Sequence, residues 1–431
     1  MNSEHRYQTS EQWLARALQT IPLGSQTFSK SKTQYPLGVS PYFIERGEGA
    51  RVWDADGNEY VDFVMGLAAV TLGYQDPDVT AAVRAQLDVG VIFSLPHRLE
   101  MEVAEAIVAA VPCAEMVRFG KNGSDATAGA IRLARAVTGR DRVAVCGYHG
   151  WQDWYIGSTS RNKGVPRAVR DLTHTFAYND LGSLRAELER YPNEFAAVIL
   201  EPMNVTEPAP GFLQGVKDLA HRHGALLVFD ETITGFRYEI GGAQQRFGVV
   251  PDLATFGKGL ANGYPVSAVA GPAELMKAME EIFFSFTFGG ELLSLAAAKA
   301  TLAKLEREPV IQTLKQLGAR LMRELNALIE RCNADAFLSV AGDATWSFLI
   351  IGDAAPYSSW QIKTLFLQEM FARGILTLGT HNLFYAHGEG EIDRLLAAYG
   401  EVVPLLAEAV RSGRLDAHLR CAPLAPLFKV R

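Results

Sequence analysis

"FLQGVKDLAHRHGALLVFDE", residues 212–231, is the stretch from which the fold is read. Residues 212–224 carry apolar side chains at helical spacing and end on Gly224, a residue suited to the left-handed position that closes a helix. Residues 225–231 then run apolar without interruption to Asp230 and Glu231, as a strand buried on both faces would. The same strand signature recurs in "RVAVCGY" (142–148), "AAVILEP" (196–202) and "VSAVAGP" (266–272), and the helical one in "TAGAIRLARAVTG" (127–139). Strands alternating with helices predict an α/β fold with a mainly parallel sheet covered on both sides. Such sheets bind ligands beyond the carboxyl ends of their strands, which is where His149, Glu201 and Asp230 fall.

The two ends of the chain read differently. "YFIERGEGARVWDADGNEYVDF" (42–63) alternates around an Asp-Gly-Asn turn, a hairpin signal. A long amphipathic helix is expected at 309–332, a short strand at 345–351 and a closing helix near 391–411. The expected division is a large domain at 63–305, with 1–62 and 306–431 together forming a smaller α+β domain. Of 431 residues 21% are charged, and the net charge of −7 argues against a nucleic-acid partner. No run approaches the roughly 20 apolar residues needed to span a bilayer, and the opening "MNSEHRYQTSEQW" has no leader pattern, so no membrane association and a cytoplasmic location are expected. Cys113, Cys146, Cys332 and Cys421 lack metal-ligand spacing and read as buried reduced thiols, with no metal site.

"LATFGKGLANGYPVSAVAG" (253–271) sets a single charge, Lys258, among glycines and apolar residues. Desolvation there would lower the amine's pKa and free it to attack a carbonyl and form a Schiff base. Asp230, at the end of another strand, could keep the ring nitrogen of a bound pyridoxal 5'-phosphate protonated. Asn122, Gly123, Ser124 and Asp125 precede a helix whose free N–H groups and dipole suit an anion, although an ordinary helix cap explains them equally well. Tyr148 offers a face to a planar ring with His149 beside it, where core packing is the plainer explanation for an isolated tyrosine.

These motifs, with "PGFLQGVKDLAHRHGALLVFDETITGFR", "GGAQQRFGVVPDLATFGKGLANGYPVSAVAG" and "SFTFGGELLSLAAAKATL", occur in the order found in class III, fold-type I pyridoxal-phosphate aminotransferases. The chain resembles that family over nearly its whole length, most closely the glutamate-1-semialdehyde 2,1-aminomutase branch. The resemblance implies a seven-stranded, mainly parallel sheet, with Lys258 as the Schiff-base lysine, Asp230 as the partner of the pyridine nitrogen and Tyr148 as the stacking ring. It further implies that Gly123, Ser124 and Asp125 lie at the cofactor phosphate, and that His149, Glu201 and Thr232 line the cofactor pocket. Thr287, in "FTFGG", would reach the phosphate of a neighbouring subunit's cofactor, so a homodimer with composite active sites is implied.

The departures from the family pattern concern the substrate. "GSQTFSK" (24–30) stands where the aminomutase carries an arginine for the substrate carboxylate, making Ser29 and Lys30 the candidates there. In "LGTHNLFYAH" (378–387), His381 and Asn382 replace the acidic gate of the aminomutase and the arginine of ω-amino acid enzymes, and can hydrogen-bond hydroxyl groups. "Glu291-Leu292" replaces Asn-Pro at a helix start. The wording of several motifs is similar to relatives from surface-polysaccharide and nonulosonic-acid sugar pathways. The function implied is a ping-pong transfer of an amino group from a small amine donor to a keto or aldehyde acceptor, with sugar-like or phosphorylated acceptors included. The alternatives are an intramolecular aminomutase and a non-catalytic binding subunit. The last would be expected to have lost the lysine, the carboxylate or the phosphate cup, and all three are present.

Overall fold

The computed structural model describes residues 6–425. The strands run, in chain order, β1 Ile44–Glu48, β2 Arg51–Asp54, β3 Glu59–Asp62, β4 Met116–Gly120, β5 Arg142–Cys146, β6 Thr173–Thr175 and β7 Phe195–Leu200. They continue with β8 Leu226–Asp230, β9 Leu253–Phe256, β10 Ser267–Gly271, β11 Leu338–Asp343, β12 Trp346–Ile351, β13 Ile375–Leu376 and β14 Thr380–Asn382. The chain folds into two compact units. One takes in the residues up to Leu67, Leu72–Asp76 and the chain from Gln312 onward, and the other holds Ala68–Thr71 and Pro77–Ile311.

The second unit is built on a seven-stranded sheet ordered β4-β10-β9-β8-β7-β5-β6. Strands β9, β8, β7, β5 and β6 are mutually parallel, with Asp230 opposite Thr255 and Leu200 opposite Phe229. β10 runs antiparallel to both its neighbours. The cause is the connection. Residues 257–266 between β9 and β10 are too few for the helical crossover that parallel pairing requires, so the chain turns straight back. Side chains on alternate positions of β7 serve two cores. Ala197 and Ile199 pack with Ala130 and Leu133 of helix Gly123–Thr138, while Val198 and Leu200 pack with Val216 and Leu219 of helix Phe212–Arg222. Burial on both faces explains why these strands read as unbroken apolar runs.

In the first unit β1, β2 and β3 form antiparallel neighbours and β13 joins β3 in parallel. The turn between β2 and β3 closes through Asp54 Oδ1, which accepts from the amides of Asp56 (3.0 Å) and Asn58 (2.7 Å). The helices Val310–Arg331 and Glu389–Arg411 and the strand β12 occupy the places that periodicity predicts. Two of the four free cysteines, Cys113 and Cys146, are buried, whereas Cys332 and Cys421 are only half-buried. Among the described residues no helix is long and apolar enough to cross a membrane.

Candidate active site

The parallel strands of the second unit deliver their most reactive residues to one edge. In spatial order β9 leads into Lys258, β8 ends on Asp230, β7 leads into Glu201, and β5 leads into Gly147, Tyr148 and His149. Lys258 opens the single turn Lys258–Ala261 with φ of 43°, a left-handed conformation that costs a residue with a Cβ on the order of 1–2 kcal/mol. Neighbouring contacts hold that turn. Thr71 donates its hydroxyl to the Gly259 carbonyl (3.3 Å), and the Thr71 amide donates to Asn262 Oδ1 (2.9 Å). A Cβ on Gly259 would lie 2.3 Å from Thr71 Oγ1, so only glycine admits this approach. Lys258 itself is half-buried, less desolvated than its apolar sequence setting predicts.

Asp230 is buried, and three donors converge on its carboxylate. His149 Nδ1 lies 2.9 Å from Oδ2, and the Thr232 amide (3.1 Å) and Thr255 hydroxyl (3.3 Å) donate to Oδ1. Burial pushes this carboxyl up, but the bond and charge of His149 and the Thr232 contacts outweigh it and hold the group below the ordinary carboxylate range. His149 Nε2 faces the Cys146 carbonyl at 3.2 Å, so both ring nitrogens lie against oxygen atoms and the ring is held in place. Three donors leave room for one more, since a carboxylate offers about four acceptor sites. Glu231, the next residue, turns away from this edge. Its buried carboxylate accepts from Thr234 Oγ1 (2.6 Å) and from the amides of Ala243 (2.6 Å) and Gln244 (3.0 Å), and burial raises its pKa.

Loop 147–150 packs on the start of helix Gly123–Thr138. Thr127 donates its hydroxyl to the His149 carbonyl (2.8 Å), and a Cβ on Gly150 would meet Ser124 Cβ at 2.6 Å. Glu201 accepts from the Tyr148 amide (2.9 Å) and from Asn204 Nδ2, 3.1 Å from each oxygen. The Tyr148 ring is 37% exposed and stands edge-on to Tyr155. Gly123 and Ser124 open the helix, where the first amides lack partners along the helix. Asp125 belongs to the same helix start. Its carboxylate accepts from the amides of Lys121 (3.1 Å) and Asn122 (2.7 Å), and its own amide donates to the Asn122 carbonyl (2.9 Å), so it shapes the helix start and has no donor to offer an anion.

Pyridoxal phosphate can be tested against this geometry. Thr232 Oγ1 is buried without a well-formed hydrogen bond, and a Cβ on Gly123 would come within 3.0 Å of Thr232 Cγ2, so the backbone at 123 is bare where it faces Thr232. A helix start with free amides, an ionised buried carboxylate with capacity left, an exposed ring and a primary amine all lie on one strand edge. The residues fit the group.

Other expected residues are found elsewhere. Thr287 is exposed in the turn Phe286–Gly289, and Glu291 is resolved as the cap of helix Leu292–Arg307, accepting from Leu293 N (2.7 Å) and pairing with Lys121 Nζ (2.9 Å). Ser29 and Lys30 are exposed in the turn Phe28–Lys30 of the first unit; burial raises the carboxyl of Asp62, and the charge of Lys30 opposes that rise only in part. His381 and Asn382, expected to meet substrate hydroxyls, are buried instead. His381 bonds Ser347 Oγ (2.9 Å) and the Tyr399 hydroxyl (2.7 Å), and Asn382 Nδ2 donates to the Val64 carbonyl (2.6 Å). They are committed to the unit's interior because β14 pairs with β12, and their side chains, on opposite faces of that strand, are both covered. Thr255, Thr71 and Asn262 were missed by the sequence reading, since only strand register and loop packing bring them to Asp230 and Lys258.

Residues 34–345 match the family model described as Aminotransferase class-III. The chain belongs to that family. It is 37% identical over 322 residues to the 3-aminobutyryl-CoA aminotransferase of Cloacimonas acidaminovorans, covering 73% of this chain and 77% of that protein. It is 35% identical over 433 residues to the glutamate-1-semialdehyde 2,1-aminomutase of Roseiflexus castenholzii, covering 94% and 99% of the two chains. Among solved structures, the FumI protein of Sphingopyxis sp. MTA144 in a PLP form superposes with a TM-score of 0.86 at 28% identity, over 96% of this chain and all (100%) of that one. The protein is a pyridoxal-phosphate enzyme of this family, with aminotransferase or aminomutase activity.

Proposed function

We propose that the protein transfers an amino group from a small amine donor to a keto or aldehyde acceptor in a ping-pong cycle, with Lys258 as the reacting amine. The observation that carries this reading is the single strand edge on which Lys258, an ionised Asp230, Glu201 and the Tyr148 loop stand side by side. Bound pyridoxal phosphate supplies an aldehyde for covalent attachment and a ring that draws electron density from the substrate's reacting carbon. The amides of Gly123 and Ser124, with Thr232 Oγ1, would hold its phosphate, and Tyr148 would cover its ring. Asp230, kept anionic by His149, Thr232 and Thr255, would hold a proton on the ring nitrogen. Lys258 Nζ would take the proton from the substrate's amine-bearing carbon as a base and give it up as an acid to complete the 1,3-shift, since the strained turn clamped by Thr71 and Asn262 fixes where its chain begins.

Two segments of the second unit support a homodimer. Leu95 and Phe283 are 79% and 80% exposed, among other exposed apolar residues at 87–101 and 283–288. The second segment leads into Leu292, whose amide donates to the Val91 carbonyl of the first (2.9 Å). A patch of this kind marks an interaction surface, and Thr287 at its edge would face the partner's site.

Borohydride reduction of the holoenzyme followed by peptide mass mapping tests the chemistry. The label is expected on Lys258, with loss of labelling and turnover in Lys258→Ala; a label elsewhere refutes the assignment. The 35% identity to an aminomutase over 94% of the chain favours a second reading, intramolecular amino-group migration. A holoenzyme whose cofactor spectrum answers to no external amine donor would decide for it.

A further inference from the structure

We propose that Tyr155 is a positioning residue for the cofactor ring, aiming the side chains of Tyr148 and His149 together. The inference rests on Tyr148 covering that ring. Loop residues 147–149 are tied one by one to three different elements. Tyr155, in the short helix Asp153–Ile156, donates its hydroxyl to the Gly147 carbonyl (2.8 Å). Glu201, after β7, accepts from the Tyr148 amide (2.9 Å), and Thr127, in helix Gly123–Thr138, donates to the His149 carbonyl (2.8 Å). Gly147 stands at φ of 108°, where glycine's freedom is greatest and a tie restricts the chain most.

The bonds from Glu201 and Thr127 hold backbone, whereas Tyr155 also meets the two rings that the loop carries. Its ring stands edge-on to Tyr148, with centroids 5.7 Å apart at 90°, and to His149, at 5.2 Å and 73°. Both separations and both angles are those that aromatic pairs favour, because a positive ring edge meets a negative face. Trp154, the preceding residue, lies nearly parallel to His149 at 6.4 Å and 15°. The imidazole that meets Asp230 is therefore held by two neighbouring side chains of one short helix, and one of them holds Tyr148 as well. That helix is itself anchored. Tyr155 is buried, and Thr173 of β6 donates its hydroxyl to the Trp154 carbonyl. A change at Tyr155 thus reaches the ring face through Tyr148 and the ring nitrogen through His149 and Asp230.

The test uses the full-length holoenzyme and two readouts besides turnover: the rate at which pyridoxal phosphate is lost on dialysis, and the circular dichroism of the bound cofactor's visible band. Tyr155→Phe keeps the ring and removes the hydroxyl, while Tyr155→Leu removes both. Tyr155→Phe is expected to speed cofactor loss by about threefold to tenfold, the scale of one neutral hydrogen bond. Tyr155→Leu is expected to exceed tenfold and to weaken the visible band. Each change is then repeated in a Tyr148→Ala protein. If Tyr155 acts through Tyr148, its effect on cofactor loss shrinks there by at least about threefold, whereas a residue that merely supports the fold produces the same fold-change in both backgrounds. Thermal unfolding of the cofactor-free proteins identifies a variant that does not fold, and the nearly isosteric Tyr155→Phe then carries the comparison. Wild-type retention and band in both Tyr155 variants, or equal fold-changes in the two backgrounds, overturns the inference. A Tyr148→Ala protein that itself keeps wild-type retention and band refutes the ring cover assigned to Tyr148, and this inference falls with it.

Discussion

Replacing His149 by phenylalanine keeps an aromatic ring in the space between Asp230 and the Cys146 carbonyl but removes the donor 2.9 Å from Asp230 Oδ2. A hydrogen bond to a charged group contributes about 1.5–3 kcal/mol. At about 1.4 kcal/mol per pKa unit, losing it raises the Asp230 pKa by roughly one to two units, because burial then opposes fewer compensating contacts. The sign follows from the direction of the shift. In the wild type the folded-state pKa lies below the ordinary carboxylate value, so Asp230 contributes stability that is present above that value and is lost as the pH falls through the depressed folded-state pKa. In the variant the folded-state pKa rises toward or past the unfolded value, so Asp230 contributes less stability and its protonation in the folded state is complete at higher pH. Two assays read it: retention of pyridoxal phosphate after dialysis between pH 4 and 8, and thermal unfolding of the cofactor-free protein over the same range. Both curves are expected to move to higher pH by about one to two units, and His149→Gln, whose amide can still donate to Oδ2, is expected to recover part of the shift. A His149→Phe protein whose retention and unfolding profiles overlay the wild type would refute the reasoning.

Gly259→Ala forces a Cβ to within 2.3 Å of Thr71 Oγ1, and the overpacking is expected to destabilise the protein by about 1–3 kcal/mol and weaken cofactor retention, measured by denaturant unfolding and dialysis. Gly150→Ala joins a 2.6 Å approach to Ser124 Cβ with a φ of +103°, so the loop carrying Tyr148 and His149 should shift and cofactor affinity fall at least tenfold, by roughly the same energy. Burial holds His381 down at about 3, below its unfolded value of about 6.5, so the folded state binds fewer protons and stability declines as the pH drops from about 6.5 toward 3. His381→Phe should flatten that part of a stability-pH profile; an unchanged slope counts against the assignment. Leu95→Asp combined with Phe283→Asp is expected to convert a dimer to monomers in light scattering, and a wild type that is itself monomeric removes the dimer proposal.

Local chemistry made much of this protein legible from its residues alone. Unbroken apolar runs ending on polar residues located β5, β7 and β8 to within a residue or two, because a strand buried on both faces admits no polar side chain until it leaves the sheet. Gly139, at φ of 65°, and Gly224 closed the helices where their sequence positions predict. Lys258 and Asp230 stood out because a charge amid glycine and apolar residues needs a reason. Other features depended on elements distant in sequence. The reversed direction of β10 depends on a connection too short to cross over, and the Thr255 contact with Asp230 on the pairing of β8 with β9. Asp125 became a helix-shaping residue only because the backbone brings the Lys121 and Asn122 amides to its carboxylate. His381 looked like a polar loop residue and is an interior one, since strand pairing turned it toward Ser347 and Tyr399. A sequence records which groups are present and at what local period, but long-range packing chooses their partners, and a side chain's partners determine its charge, its exposure and what it is free to bind.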